Sequence, residues 1–182
     1  MAAAEAGNVE VLQLLLNDDA DIFAKNQQEM SAIHSAFFSQ KIEAVKFLLP
    51  FFNEKLNEKT SNGETLFQIA CKNDKKELLK LLIENPAVDI NIQDDKGMTA
   101  FLTSVQKGDI NLVESLIKND KTDLNDKTND GRNAFIIAIQ NQNLNLVKLF
   151  IQLYSENNQN KTSKKNKKNK KRFVDITEKT NK

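Results

Sequence analysis

The chain contains few of the residues that build disulfides, metal sites or catalytic centres. Its 182 residues include one Cys, one His, two Pro, five Gly and no Trp. One Cys and one His cannot make an intrachain disulfide or a usual zinc site, and the chain lacks a Ser/His/Asp or Cys/His set for nucleophilic catalysis. The few Gly residues leave no glycine-rich phosphate loop. We therefore predict no metal, no cofactor and no enzymatic activity, in a reducing compartment.

Long apolar runs are also absent. The first 16 residues are the only candidate for a secretory signal, and Glu5 and Glu10 interrupt them. No span approaches the roughly 20 apolar residues that are needed to cross a bilayer. We expect an intracellular protein that lies in the cytoplasm and can also enter the nucleus.

A pattern that recurs after 33 residues at first and then every 34 residues is the main feature that the chain does contain. In one copy, Thr99 is a suitable helix N-cap and Gly108 can supply the positive φ that ends a helix. The apolar pairs Leu112-Val113 and Leu116-Ile117 then form one stripe at helical period. A polar stretch with turn-forming residues follows. This order predicts two helices and a long connection in each repeat.

The other copies keep the same register. N-caps are predicted at Ser31, Thr65, Thr99 and Asn133, and turn glycines at Gly63, Gly97 and Gly131. The stripe recurs as Val11-Leu12 with Leu15-Leu16, Ala44-Val45 with Leu48-Leu49, Leu78-Leu79 with Leu82-Ile83, and Leu146-Val147 with Phe150-Ile151. Agreement in phase at this many positions indicates a repeat protein.

The length of the connection separates two helical families that share this period. Fifteen residues lie between Ile117 and the next cap, Asn133, which is too many for a tetratricopeptide turn but suits a projecting hairpin. The chain resembles the ankyrin repeat family, whose repeat reads D-x-x-G-x-T-P-L-H-x-A-A, then G-x-x-E-V-V-x-L-L-L, then D-V-N. The matching residues of one copy are Asp94, Gly97, Thr99, Ala100, Phe101, Ser104, Val105, Gly108, Leu112, Val113, Leu116, Ile117, Asp123, Leu124 and Asn125.

The resemblance implies an all-α repeat solenoid with projecting hairpin loops. It covers residues 1–153 as one domain, in repeats of about 1–25, 26–59, 60–93, 94–127 and 128–153. The first repeat begins within its first helix, without a turn or cap, and we hypothesise that the chain is a fragment of a longer repeat protein. Cys71 stands at a small, buried position of the family pattern.

The chain departs from the family pattern at two positions of the repeat. The Pro after the cap is replaced by Ala32, Leu66, Ala100 and Ala134. Only His34 matches the family histidine, because the later repeats have Gln68, Leu102 and Ile136. We expect the loss of Pro to remove a preorganised φ, and the loss of His to remove a hydrogen-bonding link between turns.

The second repeat is rich in phenylalanine. We expect Phe37, Phe51 and Phe52 to fill gaps between repeats. The register places Phe38 at the end of the first helix, on the concave side, where an exposed aromatic ring would be an anchor for a partner.

Composition changes after the fifth repeat. Residues 155–182 hold 10 basic and 3 acidic residues, whereas the preceding residues hold 16 basic and 22 acidic ones. We predict a disordered, Lys-rich tail over residues 154–182. Its basic run consists of Lys164, Lys165, Lys167, Lys168, Lys170, Lys171 and Arg172. This run can be a solvated segment, can bind nucleic acid, an importin-type receptor or an anionic membrane, or can lie on the acidic repeats.

The resemblance implies a non-catalytic protein-protein interaction module, a scaffold or adaptor that binds a protein partner on its concave and hairpin-tip surface. We expect a monomer without a small-molecule substrate. The alternatives are binding through the basic tail, nuclear targeting, and the targeting fragment of a larger enzyme. By register, the contact positions are Gln27, Gln28, Met30, Phe38, Ser39, Ser61, Asn62, Glu64, Lys72, Asn73, Asp95, Lys96, Met98, Gln106, Lys107, Asn129, Asp130, Arg132, Gln140 and Asn141.

Four of these contact positions differ from the polar majority. Met30, Phe38 and Met98 are the apolar members, and Arg132 is the expected charged anchor.

Overall fold

The computed structural model describes residues 1–73 and 75–162, and all regular secondary structure within these ranges is helical. The helices are α1 (Ala2–Ala6), α2 (Val9–Asn17), α3 (Ala32–Phe38), α4 (Ile42–Leu48), α5 (Leu66–Lys72), α6 (Lys76–Glu84), α7 (Ala100–Lys107), α8 (Ile110–Lys118), α9 (Ala134–Gln140) and α10 (Leu144–Thr162). A 3-10 helix, Leu49–Phe52, follows α4. The helices form consecutive pairs, one pair per repeat, which confirms the predicted all-α repeat fold.

The chain divides into two compact units. The first is Met1–Ile92 and contains the helix pairs from α1 to α6, and the second begins at Gln93 and contains those from α7 to α10. Within the first unit, α1 packs on α3, and α4 packs on both α2 and α6. Within the second unit, α7 packs on α8 and α9, and α9 packs on α10.

The predicted N-caps begin the first helix of each full repeat. The Thr65 hydroxyl accepts a hydrogen bond from the Gln68 N–H at 3.3 Å, and the Thr99 hydroxyl accepts one from the Leu102 N–H at 3.3 Å. In the last described repeat, Asn133 Oδ1 accepts from the Ile136 N–H at 2.9 Å. Each side chain satisfies an N–H group that the helix itself leaves without an acceptor.

The apolar stripe of the second helices forms the core of each unit. Leu48, Leu82, Leu116 and Phe150 stand at equivalent positions of the repeat, and all four are fully or almost fully buried. In the second unit, the Phe150 ring meets the Phe101 ring of the preceding repeat edge-on, with centroids 6.3 Å apart. The stripe of the last helix is therefore in contact with the first helix of the repeat before it.

Backbone hydrogen bonds join successive hairpins within each unit. The Ser61 N–H donates to the Gln28 carbonyl at 3.3 Å, and the Asn129 N–H donates to the Lys96 carbonyl at 3.0 Å. Gly97 makes the second approach feasible. Its φ is +76°, and a Cβ atom there would lie 2.6 Å from the Asn129 nitrogen.

One expectation about the missing family histidine is wrong. We expected the link between turns to be lost, but Gln68 restores it in the third repeat. Its Oε1 accepts from the Thr65 N–H at 2.8 Å, and its Nε2 donates to the Ile92 carbonyl at 2.8 Å. A side-chain amide contains both an acceptor and a donor, so a buried glutamine can make both hydrogen bonds.

His34 makes only one of the two hydrogen bonds that Gln68 makes. Its Nδ1 accepts from the Ser31 N–H at 3.2 Å, whereas its Nε2 is buried and has no hydrogen-bond partner in the described part of the chain. Burial lowers the pKa of His34 to about 4, and the nearby positive charge of Lys25 contributes to the same shift. Lys25 is paired with Glu58, with 2.8 Å between Nζ and Oε2. His34 is therefore held in its neutral form.

Phe51 does not fill a gap between repeats as expected. Its side chain is 46% exposed, whereas Phe37 and Phe52 are buried as predicted. The tighter 3-10 turn after α4 gives neighbouring side chains different directions. Phe52 turns inward, and its ring meets the Phe23 ring with centroids 5.0 Å apart. Phe51 instead lies beside Phe47, with centroids 5.7 Å apart.

The last helix is longer than the sequence indicated. We expected the fifth repeat to end near Leu153, but α10 continues to Thr162. The added residues contain no Gly or Pro, and a helix satisfies its own backbone groups without an apolar face. The rest of the predicted tail, including Lys164 and the other basic residues of the run, lies outside the described residues.

The two turn glycines of the second unit allow a test of the hairpin contact. Gly97→Ala should lower the free energy of unfolding by about 1 kcal/mol because of its positive φ, and by about 1–3 kcal/mol more because of the overlap with Asn129. Gly131→Ala is the matched control, because Gly131 has a φ of +81° and nothing within 4 Å of its added Cβ. Urea unfolding should show a clearly larger loss for Gly97→Ala. Equal losses would contradict a role for close hairpin approach.

The pKa of His34 predicts how stability depends on pH. The folded-state pKa of about 4 lies below the ordinary histidine pKa of 6.5, so the unfolded chain binds the proton more readily. This contribution to stability is present above pH 6.5 and is lost as pH falls towards 4. Between pH 7 and pH 5 the loss should be about 2 kcal/mol.

His34→Gln is the matched variant, because Gln68 already serves at the equivalent position. Urea unfolding at pH 7 and pH 5 should show a smaller pH dependence for His34→Gln than for the parent chain. The same pH dependence in both proteins would show that His34 is not the titrating group.

Candidate protein-interaction surface

The contact positions of the first unit lie on two hairpin tips and at the ends of α3 and α5. Most of their side chains are exposed, and Met30, Ser39 and Glu64 are half-buried. The first tip is fixed by Asn26, whose Oδ1 accepts from the N–H groups of Gln28 and Met30, each at 3.0 Å. The main chain is therefore held in place while the exposed side chains of the tip face solvent. Besides Phe38, the exposed contact residues of the first unit are Gln27, Gln28, Ser61, Asn62, Lys72 and Asn73.

Phe38 is the most prominent apolar residue of this set. It is 45% exposed at the end of α3, as the register predicted. Its ring stands edge-on to Phe37, with centroids 6.2 Å apart and an angle of 87° between the rings. Because Phe37 is fully buried, the exposed Phe38 ring is in contact with a ring of the core.

A polar pair connects the tip of the third repeat to the end of its first helix. Lys72 Nζ lies 3.1 Å from Glu64 Oε1, and these residues stand eight positions apart in the chain. The Glu64 side chain is 16% exposed and the Lys72 side chain is 60% exposed. Two predicted contact positions are thus brought together, with the positive charge directed to solvent.

The second unit repeats this connection with an arginine. The Arg132 Nη1 donates to Gln140 Oε1 at 3.3 Å, and Arg132 Nε lies 2.7 Å from Asp130 Oδ2. The Arg132 guanidinium holds the pKa of Asp130 below its usual value, and the Thr128 hydroxyl also donates to this carboxylate. Arg132, Asp130 and Gln140 therefore form one cluster of predicted contact residues, which we call the Arg132 cluster.

Met98 does not lie on the surface as we expected. It is only 7% exposed, although its register makes it the counterpart of Met30. Asp94 fixes the main chain here, because its Oδ1 accepts from the Met98 N–H at 2.8 Å. Burial of this apolar side chain removes it from water, which favours the inward position. Met98 is therefore not an exposed apolar contact.

Two asparagines at contact positions join neighbouring repeats of the second unit. Asn129 Nδ2 donates to the Asp95 carbonyl at 2.9 Å, and Asn141 Nδ2 donates to the Gln106 carbonyl at 2.9 Å. Both amides already have structural hydrogen bonds. The remaining exposed contact positions of this unit are Asp95, Lys96, Gln106, Lys107, Asp130 and Gln140.

The described residues contain little that suggests another kind of site. Across residues 1–73 and 75–162, no three side chains of His, Cys, Asp or Glu are grouped so that they could hold a metal ion. Cys71 is buried, as its register predicted. Within the same ranges, none of the helices combines the length and the apolar character that a membrane span requires.

Comparison with known proteins agrees with the repeat pattern. A family model described as ankyrin repeats (3 copies) matches residues 1–94 and 67–165. An ankyrin repeat protein of Acanthamoeba polyphaga mimivirus is 32% identical over 80 residues, which are 44% of this chain and 10% of that protein. The chain thus spans about a tenth of the length of the curated relative. Because the family model covers most of the chain, this protein belongs to the ankyrin repeat family.

Proposed function

We propose that this chain is a scaffold or adaptor that captures a protein partner through Phe38 and the neighbouring hairpin tips of its first unit. Ankyrin repeats in general mediate protein-protein interaction. The observation that carries the proposal is the exposed Phe38 ring, which rests on a buried ring at a contact position of the family. Exposed aromatic residues with a fixed position are the usual anchors of protein interfaces.

The hairpin tips of the first unit suit a protein partner rather than a small ligand. The tips carry amide and hydroxyl side chains, which can form the polar rim of an interface. Their main chain is held by the Ser61 to Gln28 hydrogen bond and by Asn26. A fixed main chain lowers the entropy that is lost on binding. We propose no catalytic role for these residues.

Phe38→Ala is the direct test, and Phe51→Ala is its matched control because the two rings are almost equally exposed, at 45% and 46%. The parent chain and both variants are immobilised, and the captured proteins are compared by quantitative mass spectrometry. Partners that depend on Phe38 should bind about tenfold or more weakly to Phe38→Ala, since a central aromatic anchor contributes about 2 kcal/mol. Phe51→Ala should keep them.

The same comparison can contradict the proposal. Equal capture by Phe38→Ala and the parent chain, or equal losses in both variants, would remove the Phe38 surface from consideration. Circular dichroism should show unchanged helix content in both variants, because neither ring is buried.

We propose that the Arg132 cluster is a second, charged contact point of the same function. Its guanidinium is held in place by Asp130 and Gln140 and is therefore preorganised for a carboxylate of the partner. Arg132→Ala should lower capture severalfold, and Lys118→Ala, which removes an exposed cation on α8, should not. Capture that is insensitive to Arg132→Ala would exclude this contact point.

The basic run supports a separate proposal, which rests on the sequence alone because Lys164 to Arg172 lie outside the described residues. Seven basic residues in nine can bind a polyphosphate by releasing counterions. Deletion of residues 161–172 should abolish any affinity for duplex DNA or anionic vesicles that falls steeply with salt. A salt-independent affinity would argue against this role. A fluorescent fusion with and without the run would test our proposal of a cytoplasmic and nuclear location.

A further inference from the structure

One hairpin tip of the first unit contains the only Asn-Gly pair of the sequence, Asn62 followed by Gly63. Asn62 is exposed and is one of the predicted contact positions. At the same place of the next two repeats, the turn glycine follows Lys96 and Asp130 instead. The third repeat therefore differs from them in placing an asparagine amide directly before a residue that has no side chain.

The side chain of Asn62 is not held by its surroundings. Within the part of the chain that the structure describes, its amide takes part in no hydrogen bond. Asn129 and Asn141, which also stand at contact positions, each donate to a carbonyl group of the neighbouring repeat at 2.9 Å. The Asn62 amide is therefore able to turn towards its own main chain without losing a hydrogen bond.

An asparagine amide in this position can react with the main chain of the following residue. The Gly63 nitrogen attacks Cγ of Asn62 and closes a five-membered ring, and glycine has no Cβ atom to obstruct the approach. The bond from Cγ to the amide nitrogen breaks, and this nitrogen leaves as ammonia with the proton of the Gly63 N–H. Water then opens the cyclic imide at either of its two carbonyl groups. The product at position 62 is an aspartate or an isoaspartate.

The turn around Gly63 controls how readily this ring closes. Gly63 is buried, and its N–H donates to the Thr60 carbonyl at 2.9 Å. The Thr60 N–H in turn donates to the Glu64 carbonyl at 3.0 Å. The hydrogen bond of Gly63 must break before its nitrogen can attack. A hairpin tip can open locally without unfolding of the whole unit, so the reaction should be slower than in an unfolded chain but should not require unfolding.

We propose that Asn62 is a site of spontaneous deamidation in the folded protein. The reaction consumes water, releases ammonia and replaces a neutral contact side chain with a carboxylate. It needs no enzyme and no cofactor. The chemistry goes beyond the proposed function and does not depend on it, and only an effect on partner capture would rest on that function.

The last repeat shows why the added charge changes this surface. Asp130 stands there at the position of Asn62, and its carboxylate lies 2.7 Å from Arg132 Nε. In the third repeat the counterpart of Arg132 is Glu64, which is already paired with Lys72 at 3.1 Å. A carboxylate at position 62 therefore meets a like charge where the last repeat supplies a cation. Deamidation adds negative charge to the contact surface and completes no ion pair at that position.

Peptide mapping of the folded chain tests the proposal. The chain is incubated at neutral pH in water labelled with heavy oxygen and is then digested with trypsin in ordinary water. Trypsin releases residues 60–72, in which Asn62 is the only asparagine. This peptide should gain a labelled carboxylate oxygen in proportion to the time of incubation. Part of the product should be isoaspartate, because direct hydrolysis of the amide would give aspartate alone.

Asn129 is the internal control of the same digest. It is also exposed on a hairpin tip, but Asp130 follows it and its amide donates to the Asp95 carbonyl. The tryptic peptide of residues 128–132 contains no other asparagine and should therefore keep its amide. Equal conversion at Asn62 and Asn129 would overturn the proposed selectivity.

Asn62→Gln is the matched variant. Ring closure from the longer glutamine side chain is slower, so the peptide of residues 60–72 should take up severalfold less label than in the parent chain. Asn62 is exposed and its amide holds no neighbour among the described residues, so the variant should keep the helix content of the parent chain. Equal uptake of label in both proteins would place the reaction at another residue and overturn the proposal.

A chain unfolded in guanidinium chloride provides the reference rate. It should convert faster than the folded chain, because the hydrogen bond between Gly63 and Thr60 is lost. A folded chain that keeps Asn62 intact while the unfolded chain converts completely would overturn the proposal, and so would a product without isoaspartate. These outcomes do not depend on whether Phe38→Ala alters capture, so this proposal and the proposed function can fail separately.

Discussion

The apolar stripe on each second helix is the interaction on which the rest of the structure depends. Helices of seven to nine residues are too short to be stable alone, so their stability must come from packing. Leu48, Leu82 and Phe150 are buried by packing, and for Phe150 the partner is Phe101 on the first helix of the repeat before it. A repeat is therefore incomplete by itself, and the fold exists only as a stack of neighbours.

Stacking brings the hairpins of neighbouring repeats within hydrogen-bonding distance. These hairpin contacts require suitable donors and acceptors and enough space between the two backbones. The Ser61 N–H donates to the Gln28 carbonyl and the Asn129 N–H to the Lys96 carbonyl, so each donor finds its acceptor in the preceding hairpin. Gly97 is required because the neighbour approaches from the side where other residues carry a Cβ. Side-chain amides supply the remaining links, and Gln68 makes the one that connects a helix N-terminus with the following loop.

The elements that could be predicted from the sequence are those fixed by local chemistry and by register. Thr65, Thr99 and Asn133 cap helices because their own side chains reach the first turn, and no distant residue decides this. The direction of Phe51 was mispredicted because a 3-10 turn replaces the expected end of α4. The end of α10 was mispredicted because apolar content indicates packing, whereas a helix without Gly or Pro can continue into polar sequence.

The contact positions show a further limit of register. The register of the family pattern gives the place of a residue on the repeat backbone, but the role of its side chain depends on the neighbours that it contacts. Met98 and Met30 share a position, yet only Met98 is buried. Asn129 and Asn141 use their amides to join repeats, so their replacement would disturb the frame as well as the surface.

Phe38 and Arg132 differ from the asparagines in the kind of support that they receive. Buried Phe37 supports the Phe38 ring from below, and Asp130 and Gln140 hold the Arg132 guanidinium from its sides. In both cases the neighbours restrict the side chain but leave part of it accessible to solvent. Restriction lowers the entropy of binding, and accessibility leaves area to bury, so these two residues are better suited to recognition than positions that meet only one of the two conditions. Some of the predicted contact positions therefore support the structure of the repeats and others remain accessible to solvent. The hydrogen bonds and ring contacts of each side chain decide which of the two applies.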